Sequence, residues 1–307
     1  MCAMVAWTLT NVSLLLHVVN LSGKSLSNSP MKKILVPTDF SADADNALRF
    51  AMEIGKKWNA SIVLHHSYVM PVYASDLPLA LPSDTELEKS SMDGLTRLFD
   101  RFSKEYPDAK FELSVTEGYA EDQIPKTVKR TAADLVVMGT KGASGLREAF
   151  IGTITASVLD TVDCPVIAIP SNAKWIRLER LVYATDYEEG DFQHLQSFIE
   201  FARKFSAEVV ILHVSHGGEQ RVYEVDAIER FKERLVEETK YGKITFQVLG
   251  HSDIYEGINA FVEQYGADLL AMTIRRRTFT EKLLQRSMTK RMAYHAHLPL
   301  MTYHTEK

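Results

Sequence analysis

Residues 135–155 read Leu-Val-Val-Met-Gly-Thr-Lys-Gly-Ala-Ser-Gly-Leu-Arg-Glu-Ala-Phe-Ile-Gly-Thr-Ile-Thr. Leu135 to Met138 is a short apolar run of the kind a buried parallel strand needs. Gly139, Gly142 and Gly145 follow, and their freedom from a Cβ lets a ligand approach the backbone closely. Gly152-Thr153-Ile154-Thr155 then places hydroxyls where a helix would begin. A strand, a glycine-rich loop and a helix start in that order predict a phosphate site, built from exposed N–H groups and the positive end of a helix. The spacing is neither the GxGxxG of dinucleotide folds nor a Walker loop, because no Gly-Lys-Ser/Thr follows. Taken alone, the glycines would equally serve a loop that only turns a corner.

Outward from this stretch the chain alternates predicted strands and helices. Lys32 to Val36 reads as a strand stopped by Pro37, and Asp39-Phe40-Ser41 as the cap of a helix over 42–58. Ser61 to Ser67 is a second strand, and residues 69–83, with Pro71, Pro78 and Pro82, form a loop. A long amphipathic helix then runs to about Tyr106. A strand over 110–116, a helix over 121–131, the strand at Leu135, a helix over 152–162 and a strand over 165–169 complete the pattern. Such alternation implies a parallel sheet with right-handed crossovers.

The pattern then begins again. Thr185-Asp186-Tyr187 echoes Thr38-Asp39-Phe40, and Val209–Val214 echoes Ile62–His66. Ala267-Asp268-Leu269 echoes Ala133-Asp134-Leu135, and Leu298-Pro299-Leu300 echoes Cys164-Pro165-Val166. Four correspondences in one order indicate an internal duplication, with the boundary near 171–177. The expected fold class is therefore α/β, with two tandem doubly wound domains, over 31–171 and 177–304. Each is expected to hold a five-stranded parallel sheet with helices on both faces.

At 307 residues the chain suits two domains of ordinary size. A hydrophobic share of 46% and a charged share of 24% are those of an ordinary globular protein. The net charge of -5 gives no support for nucleic-acid or anionic-membrane binding. With only Cys2 and Cys164, a disulfide framework is not expected and a reducing cytoplasm is the natural compartment. The apolar run Val12–Leu21 is too short for a membrane helix, and no basic residue precedes Lys24, against a secretory signal. Met31-Lys32-Lys33-Ile34 reads as a fresh domain start. Met31 is thus expected to be the biological start and residues 1–30 an overlong gene assignment, with an export signal or tether as the alternative.

The spacing Gly139-x2-Gly142-x9-Gly152-Thr153, flanked by Ala133-Asp134-Leu135-Val136-Val137-Met138 and Cys164-Pro165-Val166, resembles the nucleotide motif of the universal stress protein family. The resemblance extends from Met31 to Tyr303 as two tandem domains. It implies nucleotide lying across the carboxyl ends of the strands, where open α/β sheets bind ligands. It implies that Pro37, Thr38 and Asp39 meet adenine, ribose and Mg²⁺, with Asp39 as the metal's carboxylate. Ser67, where the family more often has valine, would border adenine. Met138, Gly139, Lys141, Gly142, Gly152, Thr153, Ile154 and Thr155 would meet ribose and phosphates. The expected ligands are ATP and Mg²⁺. Asp39 could instead only cap its helix, and Lys141 and Arg147 could be solvated loop charges.

The second repeat departs from the motif: Thr273 stands at Gly139's place, Arg276 at Gly142's and Arg286 at Gly152's, while Ser287 matches Thr153. That half is expected not to bind ATP in the family manner. Arg275-Arg276-Arg277, with Lys282, Arg286, Lys290 and Arg291, reads first as a solvated face and second as an anion site. No histidine set has zinc spacing, His65 and His213 read as core residues, and His295-x-His297 is a minor metal candidate. There is no GxSxG elbow and no evident general base, so an efficient hydrolase is not expected. The resemblance also implies an intramolecular pseudo-dimer formed through edge strands, and leaves room for a homodimer of such chains. The function classes that stand are a nucleotide-dependent stress sensor with at most slow hydrolysis, an interaction module without nucleotide, and an ATPase or nucleotide-transferring enzyme.

Overall fold

The structure, a computed structural model, describes residues 31–70, 83–140, 152–175, 177–215, 222–274 and 298–304, without the side chains of 222–225 and 227. The first half runs β1 (Lys33–Pro37), α1 (Ala42–Trp58), β2 (Ser61–Tyr68), α2 (Asp84–Glu105), β3 (Lys110–Glu117), α3 (Ala120–Thr131), β4 (Leu135–Gly139), α4 (Thr153–Thr161) and β5 (Val166–Ile169). The second runs β6 (Arg180–Ala184), α5 (Asp191–Phe205), β7 (Glu208–Ser215), α6 (Val222–Thr239), β8 (Ile244–Gly250), α7 (Ile254–Tyr265), β9 (Leu269–Ile274) and β10 (Leu300–His304).

All these strands join one ten-stranded sheet in the order β3-β2-β1-β4-β5-β10-β9-β6-β7-β8. Each half is parallel throughout, and the halves meet where β5 and β10 pair antiparallel. Ile167 pairs with Met301 there. These two residues hold the same place in the two repeats, so the pseudo-two-fold axis passes between them. The edges that a lone half would expose are thereby covered by its own copy.

Local sequence explains the elements. Helix α1 is capped by Ser41, whose side chain accepts from the Ala44 N–H at 3.2 Å. Asp43 and Asp45 lie in its first turn and Lys56 and Lys57 in its last, both favourable to the helix dipole. Asp39 does not cap this helix: its Oδ1 accepts from the Ser41 N–H at 3.0 Å, closing a turn one step earlier. Pro37 does not stop β1 but is its last residue, a place where a missing N–H costs little. The repeated Ala-Asp-Leu has a structural meaning as well. Asp134 Oδ2 accepts from the N–H groups of Lys32 and Lys33, and Asp268 Oδ2 from those of Glu179 and Arg180. Each aspartate thus ties the start of its repeat's first strand to the loop before the strand alongside it.

Side chains alternate across the sheet into two buried layers. One, under α1, α2, α5 and α6, contains Leu95, Phe102, Phe198, Phe201 and Tyr183. The other, under α3, α4 and α7, contains Val63, Val136, Val158, Leu159, Ile258 and Leu270. Aromatic rings bridge the halves on the first face. Trp58 lies 5.4 Å from Phe201 and 5.8 Å from Phe205, and Trp175 lies 5.2 Å from Phe50. Among the described residues no helix is long and apolar enough to cross a membrane.

Candidate functional site

The parallel register brings the expected residues to one edge. Pro37 of β1 pairs with His65 of β2, and Ile34 and Leu35 pair with Leu135 and Val136 of β4. Continuing that register sets Pro37 beside Met138. Thr38 and Asp39 therefore emerge at the carboxyl ends between Ser67 on one side and Gly139 on the other, in the crevice where strand order reverses. Thr38 and Met138 are buried, Ser67 is half-buried, and Asp39 is exposed. Lys141, Gly142, Gly145 and Arg147 lie outside the described residues.

The far wall is the start of α4. Gly152 is its N-cap, and among the described residues no side chain caps it. The Gly152 N–H donates to the Thr140 carbonyl at 2.6 Å, and Thr155 Oγ1 donates to the Gly139 carbonyl at 2.8 Å. These two bonds fold the end of β4 and the beginning of α4 against each other. The first intrahelical bond is Ala156 N–H to the Gly152 carbonyl, so the N–H groups of Thr153, Ile154 and Thr155 have no partner within the helix. Nor does the backbone require glycine at 152: its φ is -60° and ψ 150°. Among the described residues an added Cβ would meet only the Thr140 oxygen, at 3.4 Å. Among the described residues, what glycine leaves out there is a side chain at a positive helix end whose first N–H groups lack helical partners.

The Thr-Asp-aromatic corner occurs twice with the same geometry. Thr38 Oγ1 accepts from the Phe40 N–H at 3.0 Å, and Thr185 Oγ1 from the Tyr187 N–H at 2.9 Å. Phe40 and Tyr187 both take positive φ, 63° and 59°. His66 Nδ1 lies 2.7 Å from the Thr38 carbonyl and His213 Nδ1 2.9 Å from the Thr185 carbonyl, so each imidazole donates there. The counterpart of His213 is therefore His66, not His65. The pairs Thr38/Thr185, Asn59/Ser206 and His66/His213 keep one constant spacing, which also aligns Ala44 with Asp191.

That alignment exposes a difference that the motif comparison misses. In the second repeat the corner is closed by its own side chains. Thr185 Oγ1 donates to the buried Asp191 carboxylate at 2.6 Å. Thr273, at Gly139's place, meets the Tyr183 hydroxyl at 2.6 Å. Tyr187 is packed against Phe231 and only 8% exposed, whereas Phe40 is 39% exposed. In the first repeat Ala44 offers no acceptor, and among the described residues the Thr38 hydroxyl proton has no acceptor. Phe40 lies 4.4 Å from the His66 ring, and a Cβ on Gly94 of α2 would come within 2.6 Å of the Phe40 ring. Gly94 makes room for that aromatic wall.

His65 faces the layer under α3 and α4, one residue below the site edge. It is 1% exposed, with Nδ1 3.2 Å from Ser114 Oγ, which also accepts from Arg130 at 2.7 Å. Burial pushes its pKa down to about 4. Among the described residues no three His, Cys, Asp or Glu side chains converge as a metal site. The arginine cluster at 275–291 and His295-x-His297 lie outside the described residues.

Comparison with known proteins decides the family. The model of the universal stress protein family matches residues 30–170 and again 177–304. The chain belongs to the universal stress protein family. A universal stress protein of Methanocaldococcus jannaschii is 27% identical over 151 residues, covering 47% of this chain and 84% of the relative. A solved universal stress protein from Archaeoglobus fulgidus covers 90% of this chain and 97% of its own at a TM-score of 0.68 and 18% identity, a likeness of fold. Another universal stress protein, solved in complex with cAMP, covers 43% of this chain and 100% of its own, with a TM-score of 0.37 and 14% identity.

Proposed function

We propose that this universal stress protein binds ATP with Mg²⁺ in its first repeat, residues 31–171, and acts as a nucleotide-dependent sensor in the cytoplasm. The observation that carries this is the open N-terminus of α4. Gly152 stands where the backbone does not need glycine, and the three N–H groups without helical partners would face the crevice beside Thr38 and Asp39. Pro37, Phe40 and Ser67 would border the base, and the Thr38 hydroxyl is available to donate to it or to ribose. Gly139, Gly152, Thr153, Ile154 and Thr155, with Lys141 and Gly142 of the intervening loop, would receive the phosphates. Bound Mg²⁺ would neutralise phosphate charge, with Asp39 as its protein ligand. The sequence carries no hydrolase motif, and slow hydrolysis at most is part of this proposal. The second repeat, residues 177–304, serves as the structural partner, since its corner is filled by Asp191, Thr273 and Tyr187.

The test is calorimetric titration with ATP·Mg²⁺ and with AMP, in the wild type and in Asp39→Asn. The expected result is tighter binding of ATP than of AMP, and a loss of about tenfold in ATP affinity in Asp39→Asn only when Mg²⁺ is present, from one lost charged ligand. Equal affinity for ATP and AMP would remove the phosphate site from this proposal. The closed second corner favours a competing view, an interaction module without nucleotide, and absence of binding in every titration would leave that view standing.

A further inference from the structure

Helix α4 has little to hold it together by itself. It spans nine residues, Thr153–Thr161, and five of them, Thr153, Ile154, Thr155, Val158 and Thr161, are β-branched. Such residues are poor helix formers, and helices this short are unstable without tertiary support. No acidic residue lies in its first turn and no basic residue in its last. Asp160 instead places a negative charge near the negative end of the helix dipole. Its orientation must therefore come from outside.

Part of that support comes from the other repeat. His304, the last residue of β10, is buried, and its Nε2 meets the Leu159 carbonyl. A carbonyl oxygen only accepts, so His304 donates from Nε2. Leu159 lies in the last turn of α4, where carbonyls lack partners within the helix. Behind this contact, His194 of α5 is hydrogen-bonded to the His304 backbone and lies 5.3 Å from the Tyr303 ring. Burial pushes His194 down to about 4, so it is a neutral donor at neutral pH. The place of His304 in the first repeat is taken by Pro170, which has no such donor. Through this contact the second repeat holds the helix of the first.

We infer that His304 is a positioning residue for the nucleotide site, through which the second repeat pins the carboxyl end of α4 and so fixes the N–H groups at its other end. This rests on the proposed binding of ATP at that N-terminus. It gives the closed second repeat a task in ligand binding that needs no ligand of its own, and makes phosphate affinity depend on how the two halves are docked.

The experiment compares the full chain with His304→Phe, which keeps a ring without the donor, and His304→Gln, which restores an N–H near the Nε2 position. Hydrogen exchange of amides 153–161 and ATP·Mg²⁺ affinity are both read. His304→Phe is expected to speed exchange across α4 and to weaken ATP about fivefold, the effect of one hydrogen bond, while His304→Gln recovers both. Unchanged exchange across α4 in His304→Phe would overturn the inference. So would loosened exchange with undiminished ATP affinity, which marks a purely structural contact. If the wild type itself binds no ATP, the proposed ligand fails and the positioning role with it, while faster exchange in His304→Phe would still sustain the pinning of α4 and unchanged exchange would overturn that too.

Discussion

Gly152→Asp is expected to abolish ATP binding while leaving the protein as stable as the wild type, or slightly more so. The backbone at 152 has the extended conformation of an ordinary N-cap, and among the described residues an added Cβ meets nothing closer than the Thr140 oxygen at 3.4 Å. Aspartate is among the preferred N-cap residues, and relative to glycine it adds a few tenths of a kcal/mol or more. The same carboxylate would accept from the N–H groups that are to hold phosphate and would place a negative charge against the triphosphate. At an effective dielectric of about 20, two unit charges about 4 Å apart repel by about 4 kcal/mol, so a loss of at least about a hundredfold in affinity is expected. Thermal melts and calorimetry on the two proteins check both halves of this expectation. A variant that melts early says that glycine serves the fold. One that melts normally and binds ATP normally says that the phosphate lies elsewhere.

The second large effect concerns acid. His65 and His194 each have a folded pKa of about 4, against 6.5 for the free side chain, because burial disfavours the charged form. Between those values the unfolded chain takes up protons that the folded chain refuses. Their contribution is therefore complete above about pH 6.5 and is lost progressively as the pH falls toward 4. Each group carries about 3 kcal/mol across that window. His65→Leu, which copies the Leu212 found at the same place in the second repeat, should remove about half of this loss and leave stability at pH 7.5 nearly unchanged. Urea melts at pH 7.5 and 4.5 measure it. An unaltered acid slope in the variant would show that His65 is not held neutral by burial.

Much of the fold was legible because the sequence states it twice. Val136–Val137 and Leu269–Leu270 mark central strands, and the repeated Ala-Asp and Thr-Asp strings recur in one order. That the two halves meet through edge strands followed from the family resemblance, but that the strands are β5 and β10 did not, since an antiparallel contact between distant strands leaves no local signal of its own. The crevice was legible in outline through Gly139 and Gly152, whose lack of side chains is a statement about space. The reason the second repeat is closed was not. Alignment of the glycine motif points to Thr273, but the decisive partner, Asp191, aligns with an unremarkable Ala44. Its effect appears only once Thr185 is seen to donate to it. A comparison of the two repeats at constant spacing, residue by residue, carries that signal. His65 and His66 both follow an apolar run, and the constant spacing between the repeats, which sets His66 against His213 and His65 against Leu212, says which one reaches the Thr38 carbonyl. The contact between His304 and Leu159 lies beyond any sequence pattern, because it joins a side chain to a backbone carbonyl in the other repeat.

The most direct measurement is the nucleotide released by denaturing the purified wild-type chain and Gly152→Asp, separated by chromatography and quantified against protein. ATP near one per chain in the wild type and none in the folded variant is the expected result, and would assign the ligand to the α4 end of the first repeat. A wild type that is empty and also fails to take up ATP·Mg²⁺ added in excess would contradict nucleotide sensing by this protein.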